Sequence, residues 1–228
     1  MDGRRPVGIM YTNTNVDDPA KEVEYNQWYH DVHFPDVTEP GIFVNATMFH
    51  NVFSPPRPGE GKFLAFYECY WQDLDAAYAE FTKTVAKLRA EHRIHAGTAR
   101  AFYGVYRHLK TVFSTDRRRR TQSLLAVRID SKEPGRNEEV KRWYMETHVP
   151  EVVDLGLYHT GSFGELISGE PFRSMADPGQ PRFLALYESD IGDPQWLAAE
   201  VGKRFQSPGV PEYVRIDGAS MFYRVSPW

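Results

Sequence analysis

Trp28-Tyr29-His30-Asp31-Val32-His33-Phe34-Pro35-Asp36-Val37 and Trp143-Tyr144-Met145-Glu146-Thr147-His148-Val149-Pro150-Glu151-Val152 are two versions of one pattern, Trp-Tyr-x-x-x-His-x-Pro-acid-Val, set 115 residues apart. The same offset carries Gly41-Ile42-Phe43 onto Gly156-Leu157-Tyr158. After a longer loop in the second half the offset becomes 120, and Lys62-Phe63-Leu64-Ala65-Phe66-Tyr67-Glu68 matches Arg182-Phe183-Leu184-Ala185-Leu186-Tyr187-Glu188. The last strand is expected to keep that offset, with Phe102-Tyr103 on Phe222-Tyr223. A period of half the chain predicts one supersecondary unit used twice, and it nominates two equivalent places for chemistry.

Val7 to Asn13 reads as a strand entering a polar turn, where Asp18 caps a helix that begins with Pro19. The helix is expected to run towards Phe34, because Pro35 disfavours the helical conformation of the residue before it. Gly41 to Val52 and Phe63 to Trp71 read as strands about a Pro-rich loop. Leu74, Tyr78, Phe81, Val85 and Leu88 recur at helical spacing, and Ala101 to Leu109 closes the unit as a strand. The second half repeats the order, so each half is βαββαβ, the split-βαβ or ferredoxin-like sequence of elements. Such a sheet has helices on one face and an apolar second face, which the other copy can cover. The predicted organisation is a first repeat over 1–113, an Arg-rich linker over 114–122 and a second repeat over 123–228.

The 228 residues are 41% hydrophobic and 14% aromatic, enough for a sizeable core and for aromatic cavity walls. A net charge of −4 with mixed signs favours neither nucleic acid nor an anionic membrane. Arg117 to Arg120 is the concentrated basic run, and it reads as a solvated linker. One cysteine, Cys69, excludes an intrachain disulfide framework and fits a reducing, cytoplasmic setting. No apolar stretch is long enough to span a membrane, and the start of the sequence has no apolar signal core.

The element order together with Asn26, Trp28, Tyr29, His33 and Pro35 resembles the dimeric α+β barrel superfamily, and in particular its EthD-like members, as a fused pseudo-dimer. The second copy departs from the motif where Lys141 replaces the Asn. The resemblance spans essentially the whole chain. It implies two ferredoxin-like repeats whose antiparallel sheets pack as an α+β barrel, and a small hydrophobic chamber between sheet and helices with one or two acid–base residues. Relatives that it implies include polyketide cyclases such as olivetolic acid cyclase, muconolactone isomerase, cofactor-free monooxygenases, hydroxynitrile lyases and haem-degrading enzymes. A tandem repeat allows a monomeric pseudo-dimer, although exposed edge strands also allow a homodimer.

At about 100° per residue, Tyr25, Trp28 and Val32 form a packing stripe on the first helix, with Tyr29 and His33 on its flank. His33 near the helix end, with Asp36 to orient it, reads as a base tunable near neutral pH, and the Tyr29 phenol as a donor to a developing oxyanion. Tyr144, His148 and Glu151 repeat the arrangement. The plainer reading stands beside this one: the Trp residues pack helix on sheet, and duplication copies structural residues as readily as catalytic ones. Asn26, Trp28, His50, Tyr67, Glu68 and Tyr11 are candidate substrate contacts; the counterpart of His50 in the second repeat is Glu165, and Arg128 stands where the first half has Asn13. Alternation sends Tyr67 and Glu68 to opposite sheet faces.

Two His pairs at i,i+3, His30 with His33 and His92 with His95, fall short of a zinc set, so no metal is expected. No phosphate-binding Gly-rich loop, Gly-x-Ser-x-Gly elbow or Cys-x-x-Cys pair is present, and no organic cofactor is expected. The sequence therefore points to a cofactor-independent acid–base enzyme (cyclase, dehydratase, isomerase or C–C lyase) on a small hydrophobic aromatic or polyketide-like carbonyl substrate. A cofactor-free monooxygenase, or a non-catalytic small-molecule or haem-binding protein, is the alternative.

Overall fold

The structure, a computed structural model, describes residues 1–114, 119–167, 181–205 and 209–225. Arg117 and Arg118 of the basic run, and the longer second-half loop over 168–180, lie outside the described residues.

Eight strands, β1 (Gly8–Val16), β2 (Val44–Asn51), β3 (Phe63–Cys69), β4 (Thr98–Phe113), β5 (Ser123–Ser131), β6 (Thr160–Leu166), β7 (Phe183–Ser189) and β8 (Val214–Arg224), close into one barrel. The order around it is β1-β3-β2-β8-β5-β7-β6-β4, and every neighbouring pair is antiparallel. Each half contributes four consecutive strands in the same order, β4-β1-β3-β2 and β8-β5-β7-β6. The fold is α+β, as the duplicated pattern requires.

Closure explains why β3 and β7 are buried at every residue. Phe63, Ala65, Tyr67 and Cys69 point to the helices, while Leu64 and Phe66 point into the barrel with Ile9, Tyr11, Phe49, Phe102, Tyr106, Leu124, Leu184, Leu186 and Phe222. A strand covered on both faces loses the polar alternation of a surface sheet. The barrel is thus a filled core, and two further cores lie outside it, each between one half's helices and its strands.

Registers correct one sequence match. Gly8 pairs with Arg107 and Ser123 with Tyr223, so Tyr106 and Phe222 occupy equivalent places, and Tyr103 corresponds to Ala219. The Phe-Tyr coincidence at Phe222-Tyr223 is therefore not an equivalence with Phe102-Tyr103.

The helices are α1 (Glu22–Trp28), α2 (Phe34–Thr38), α3 (Leu74–Ala90), α4 (Asn137–Trp143), α5 (Val149–Asp154) and α6 (Pro194–Arg204). Asp18, Asp73 and Asp193 cap the turns after β1, β3 and β7 by accepting backbone N–H bonds. Between α1 and α2, and again between α4 and α5, a π-helical turn covers Tyr29–His33 and Tyr144–His148. The expected stop at Pro35 does not occur; the chain stays helical to Thr38. Proline lacks an N–H and crowds the carbonyl one turn back, and a widened turn with i→i+5 bonding accommodates both defects. In the second half the helix likewise continues past Pro150 to Asp154. Gly41 and Gly156 then follow with φ of +70° and +72°, the left-handed conformation that ends a helix.

Candidate functional site

The π-turn changes which residues reach the core. Tyr25, Tyr29, Phe34 and Val37 are buried, while Trp28 and Val32, expected in the packing stripe, are half-buried. The wider turn rotates Tyr29 inward and leaves Trp28 to flank it. Trp28 is anchored through its indole N–H to the Arg93 carbonyl at 3.2 Å.

Between this helix, α3 and the outer faces of β1, β3 and β4 lies a chamber of about 120 Å³. Its floor is Met10, Thr12, Thr14, Tyr67 and Tyr103; its walls are Trp28, Tyr29, His33, Val37, Phe81 and Val85; Arg89 and Arg100 stand at the rim. The His33 ring stacks on Trp28 at 4.6 Å, meets Tyr29 edge-on at 4.9 Å and faces Tyr67 at 6.2 Å.

Burial decides the charge states. Loss of solvent, only partly offset by Asp36, lowers His33 to about 4, so the imidazole is neutral near pH 7. Burial likewise lifts the Tyr67 and Tyr29 phenols well above their ordinary value, reinforced for Tyr67 by Tyr29 and for Tyr29 by Tyr25. His33 Nδ1 and the Tyr67 hydroxyl are both buried with no hydrogen-bond partner. Buried polar groups are normally satisfied, so an unpaired acceptor-capable ring and an unpaired donor in one chamber call for an explanation. Other phenols nearby are engaged: Tyr25 donates to Thr14 Oγ1 at 3.0 Å, and the Tyr78 and Tyr103 hydroxyls are 2.8 Å apart.

The expected Asp36–His33 pairing is not made. Asp36 accepts two bonds of 2.7 Å from the Arg93 guanidinium instead, which ties α2 to the segment after α3. A fork-shaped cation outcompetes a single imidazole N–H for a carboxylate. Asn26 and His50 do not reach the chamber either. They meet each other at 3.1 Å (Asn26 Oδ1 to His50 Nε2), on the barrel side of α1. In the second half the same two places hold Lys141 and Glu165, 2.9 Å apart. The asymmetry at His50 is therefore one helix-to-strand contact made in two chemistries.

Tyr11 and Glu68 also lie elsewhere. Tyr11 packs inside the barrel on Phe66 and Phe102. Glu68 points away from Tyr67 to one end of the barrel, where Arg4 holds it through two bonds of 2.9 Å. Its counterpart Glu188 accepts from the Met1 amine at 2.7 Å. Burial pushes the Glu188 carboxyl up, but the ammonium and Thr121 Oγ1 outweigh it and hold the group below its ordinary value. Arg128 closes the other end, 3.6 Å from Glu60.

The second half repeats the three rings, with His148 4.9 Å from Tyr144 and 6.4 Å from Tyr187. Burial lowers His148 to about 4 as well. Its surroundings differ. Leu125, Val127 and Ile129 replace Met10, Thr12 and Thr14, and Ala219 replaces Tyr103. Helix α6 stops at Arg204, and the Phe205 ring, the counterpart in sequence of Val85 on the longer α3, comes to 5.3 Å from His148.

Of the residues nominated from the sequence, His33, Tyr29, Trp28 and Tyr67 line the chamber; Tyr103, Arg89 and Arg100 line it without having been nominated. Tyr103 was hidden by the false register at Tyr223. The arginines lie on segments with no motif, and only the difference between the two copies marks them. Among the described residues no group of three or more His, Cys, Asp or Glu side chains gathers as a metal site, and no helix is long and apolar enough to cross a membrane. Cys69 is a buried free thiol.

No family model and no curated protein matches the chain. Solved structures do. An anthrone oxidase-like protein superposes with a TM-score of 0.56 at 11% identity, over 99% of this chain and 94% of that one. A dye-decolorizing peroxidase from Bacteroides thetaiotaomicron gives 0.53 at 9%, over 99% and 94%. A heme-binding protein from Thermus thermophilus gives 0.51 at 10%, over 97% and 92%. At such identities the likeness establishes the fold, the dimeric-type α+β barrel, over nearly the whole chain.

Proposed function

We propose that the first-half chamber is the active site of a cofactor-independent acid–base enzyme acting on a small aromatic carbonyl compound. The observation that carries this reading is the pair of unpartnered groups, His33 Nδ1 and the Tyr67 hydroxyl, buried in the lining of one aromatic chamber. His148 Nδ1 and the Tyr187 hydroxyl are unpartnered as well, and the chamber beside His33 is what favours the first half. His33 would take a proton from the carbon next to the carbonyl. Its imidazole is uncharged at working pH, so no prior deprotonation is needed. As negative charge moves to the carbonyl oxygen, the Tyr67 phenol donates to it, replacing Tyr29 in the role expected from the motif. Return of the proton to another carbon completes an isomerisation. Loss of a β-hydroxyl, which takes the proton back from His33 and leaves as water, completes a dehydration. Attack of the enolate carbon on a second carbonyl of the same molecule, whose alkoxide takes that proton, completes a cyclisation.

The space of about 120 Å³ suits one ring, since an engineered apolar cavity of about 150 Å³ takes benzene. A tetrapyrrole does not fit this volume. The same deprotonation would also begin a cofactor-free oxygenation, which oxygen uptake with substrate would reveal. As a family reading, the chain is an EthD-like pseudo-dimer with one working half.

Hydrogen–deuterium exchange at the methyl group of a single-ring aryl ketone such as acetophenone, followed by NMR in heavy water, tests the chemistry. Exchange catalysed by the native chain and reduced at least about a hundredfold in a folded His33→Ala protein is expected. Equal exchange with and without His33 overturns the assignment.

A further inference from the structure

We propose that the ligand of this chamber is a single aromatic ring carrying a carboxylate, with the ring inside and the carboxylate held at the rim by Arg89 and Arg100. The inference rests on the chamber being a ligand site, as argued above, and adds the charge class of the ligand. Both arginines line the chamber, and both residues are exposed. Neither makes an ion pair with any carboxylate among the described residues, whereas neighbouring cations do: Arg93 is held by Asp36 and Lys87 by Glu91. Arg100 is instead placed by the Tyr103 ring, with its guanidinium 5.3 Å from the ring centre. A side chain already ordered on an aromatic face loses less freedom when it takes a ligand.

The two copies sharpen the argument. The place of Arg100, opposite Thr14, is held in the second half by Ile216, opposite Ile129. Arg89 has no helical counterpart, because α6 ends at Arg204. The duplicated Tyr and His are explained by either structure or function. Among the described residues the difference between the copies at Arg100 and Ile216, unlike the duplicated motif, points to a ligand of the first-half chamber.

Their location also suits the physics of a charged ligand. A carboxylate drawn into the aromatic interior would lose its hydration, whereas one left at the rim stays partly solvated and meets planar forks of N–H donors. Inside, the ring meets Phe81, Trp28 and Tyr103, and the uncharged His33 offers no competing ion pair.

Calorimetric titration of the full chain with benzoate and with benzamide, its neutral isostere, tests this. Benzoate is expected to bind at least about tenfold more tightly at low salt, with the advantage shrinking towards 1 M salt. In the Arg89→Gln/Arg100→Gln double variant that advantage should vanish while benzamide affinity stays within about twofold. Equal affinities in the native chain, or an advantage that survives the double substitution, overturn the carboxylate inference and leave the acid–base reading standing. Failure of both rings to bind overturns the two readings together.

Discussion

A single buried histidine illustrates how environment sets chemistry at the residue scale. His33 lies on the same turn as its motif predicts, but stacking on Trp28 and loss of solvent, rather than a carboxylate partner, fix its state. For the proposed reaction kcat/KM should be level from pH 8 down to about pH 5 and fall below that, as the free enzyme's base protonates near 4. A descending limb centred at 6.5 would mean that His33 is solvated. Tyr67→Phe should lower kcat at least about tenfold with little change in KM, because it removes a donor needed as charge develops. The same burial has a stability consequence. His33, His50, His108 and His148 are all lowered to about 4 from the ordinary 6.5. In that window the unfolded chain binds more protons than the folded one, so stability rises with pH from about 4 to 6.5. Urea unfolding at about pH 5.5 should show a loss of roughly 1 kcal/mol per histidine relative to pH 7.5. Replacing His33 and His148 by Gln should roughly halve that dependence, since His50 and His108 remain.

At the scale of elements, the first helix of each half is a device for turning a Tyr and a His onto the sheet. The π-turn begins at the tyrosine and ends at the histidine in both copies, and the proline that follows keeps the ladder open. Straight α-helical geometry had placed Trp28 and Val32 inward and Tyr29 at the flank. The element then ends on Gly41 or Gly156 in the left-handed region, each N–H returning to a carbonyl of the last turn (Thr38 and Val153). Gly41→Ala and Gly156→Ala should each cost about 1 kcal/mol in denaturant unfolding, since a Cβ is strained at that φ while the space around it is open. Equal stability of either variant would mean that the turn relaxes to another conformation.

For the molecule as a whole, eight strands close a barrel from two four-stranded sets, and closure removes the free sheet edges through which a second chain would pair. Sedimentation should accordingly report a monomer; a stable dimer would require a contact through the helical surface. The halves share architecture but not furnishing: the Phe205 ring stands 5.3 Å from His148, whereas Val85 of the longer α3 lines the chamber beside His33. Ligand titration should therefore give about one site per chain, and a folded His148→Ala protein should retain turnover within about twofold of the native rate. Loss comparable to that of His33→Ala would place a working site in the second half.

The repeat of Trp-Tyr-x-x-x-His-x-Pro and of the Phe63–Glu68 strand determined the βαββαβ order, its duplication and the candidacy of Tyr29, His33 and Tyr67, because periodicity and chain order are local properties of the sequence. The partners of those residues were decided in three dimensions. Asp36 is nearer to His33 in sequence than Arg93 is to Asp36, yet Arg93 captures it. Tyr103 reaches the chamber through a strand register that residue matching misread. Asn26 and His50 satisfy one another, and Glu68 faces the end of the barrel. A sequence pattern specifies which groups are present and which face of an element they share. Which of them remain unpaired in a common cavity depends on competition among all polar groups that the closed barrel brings together, and that competition is resolved only by the tertiary structure.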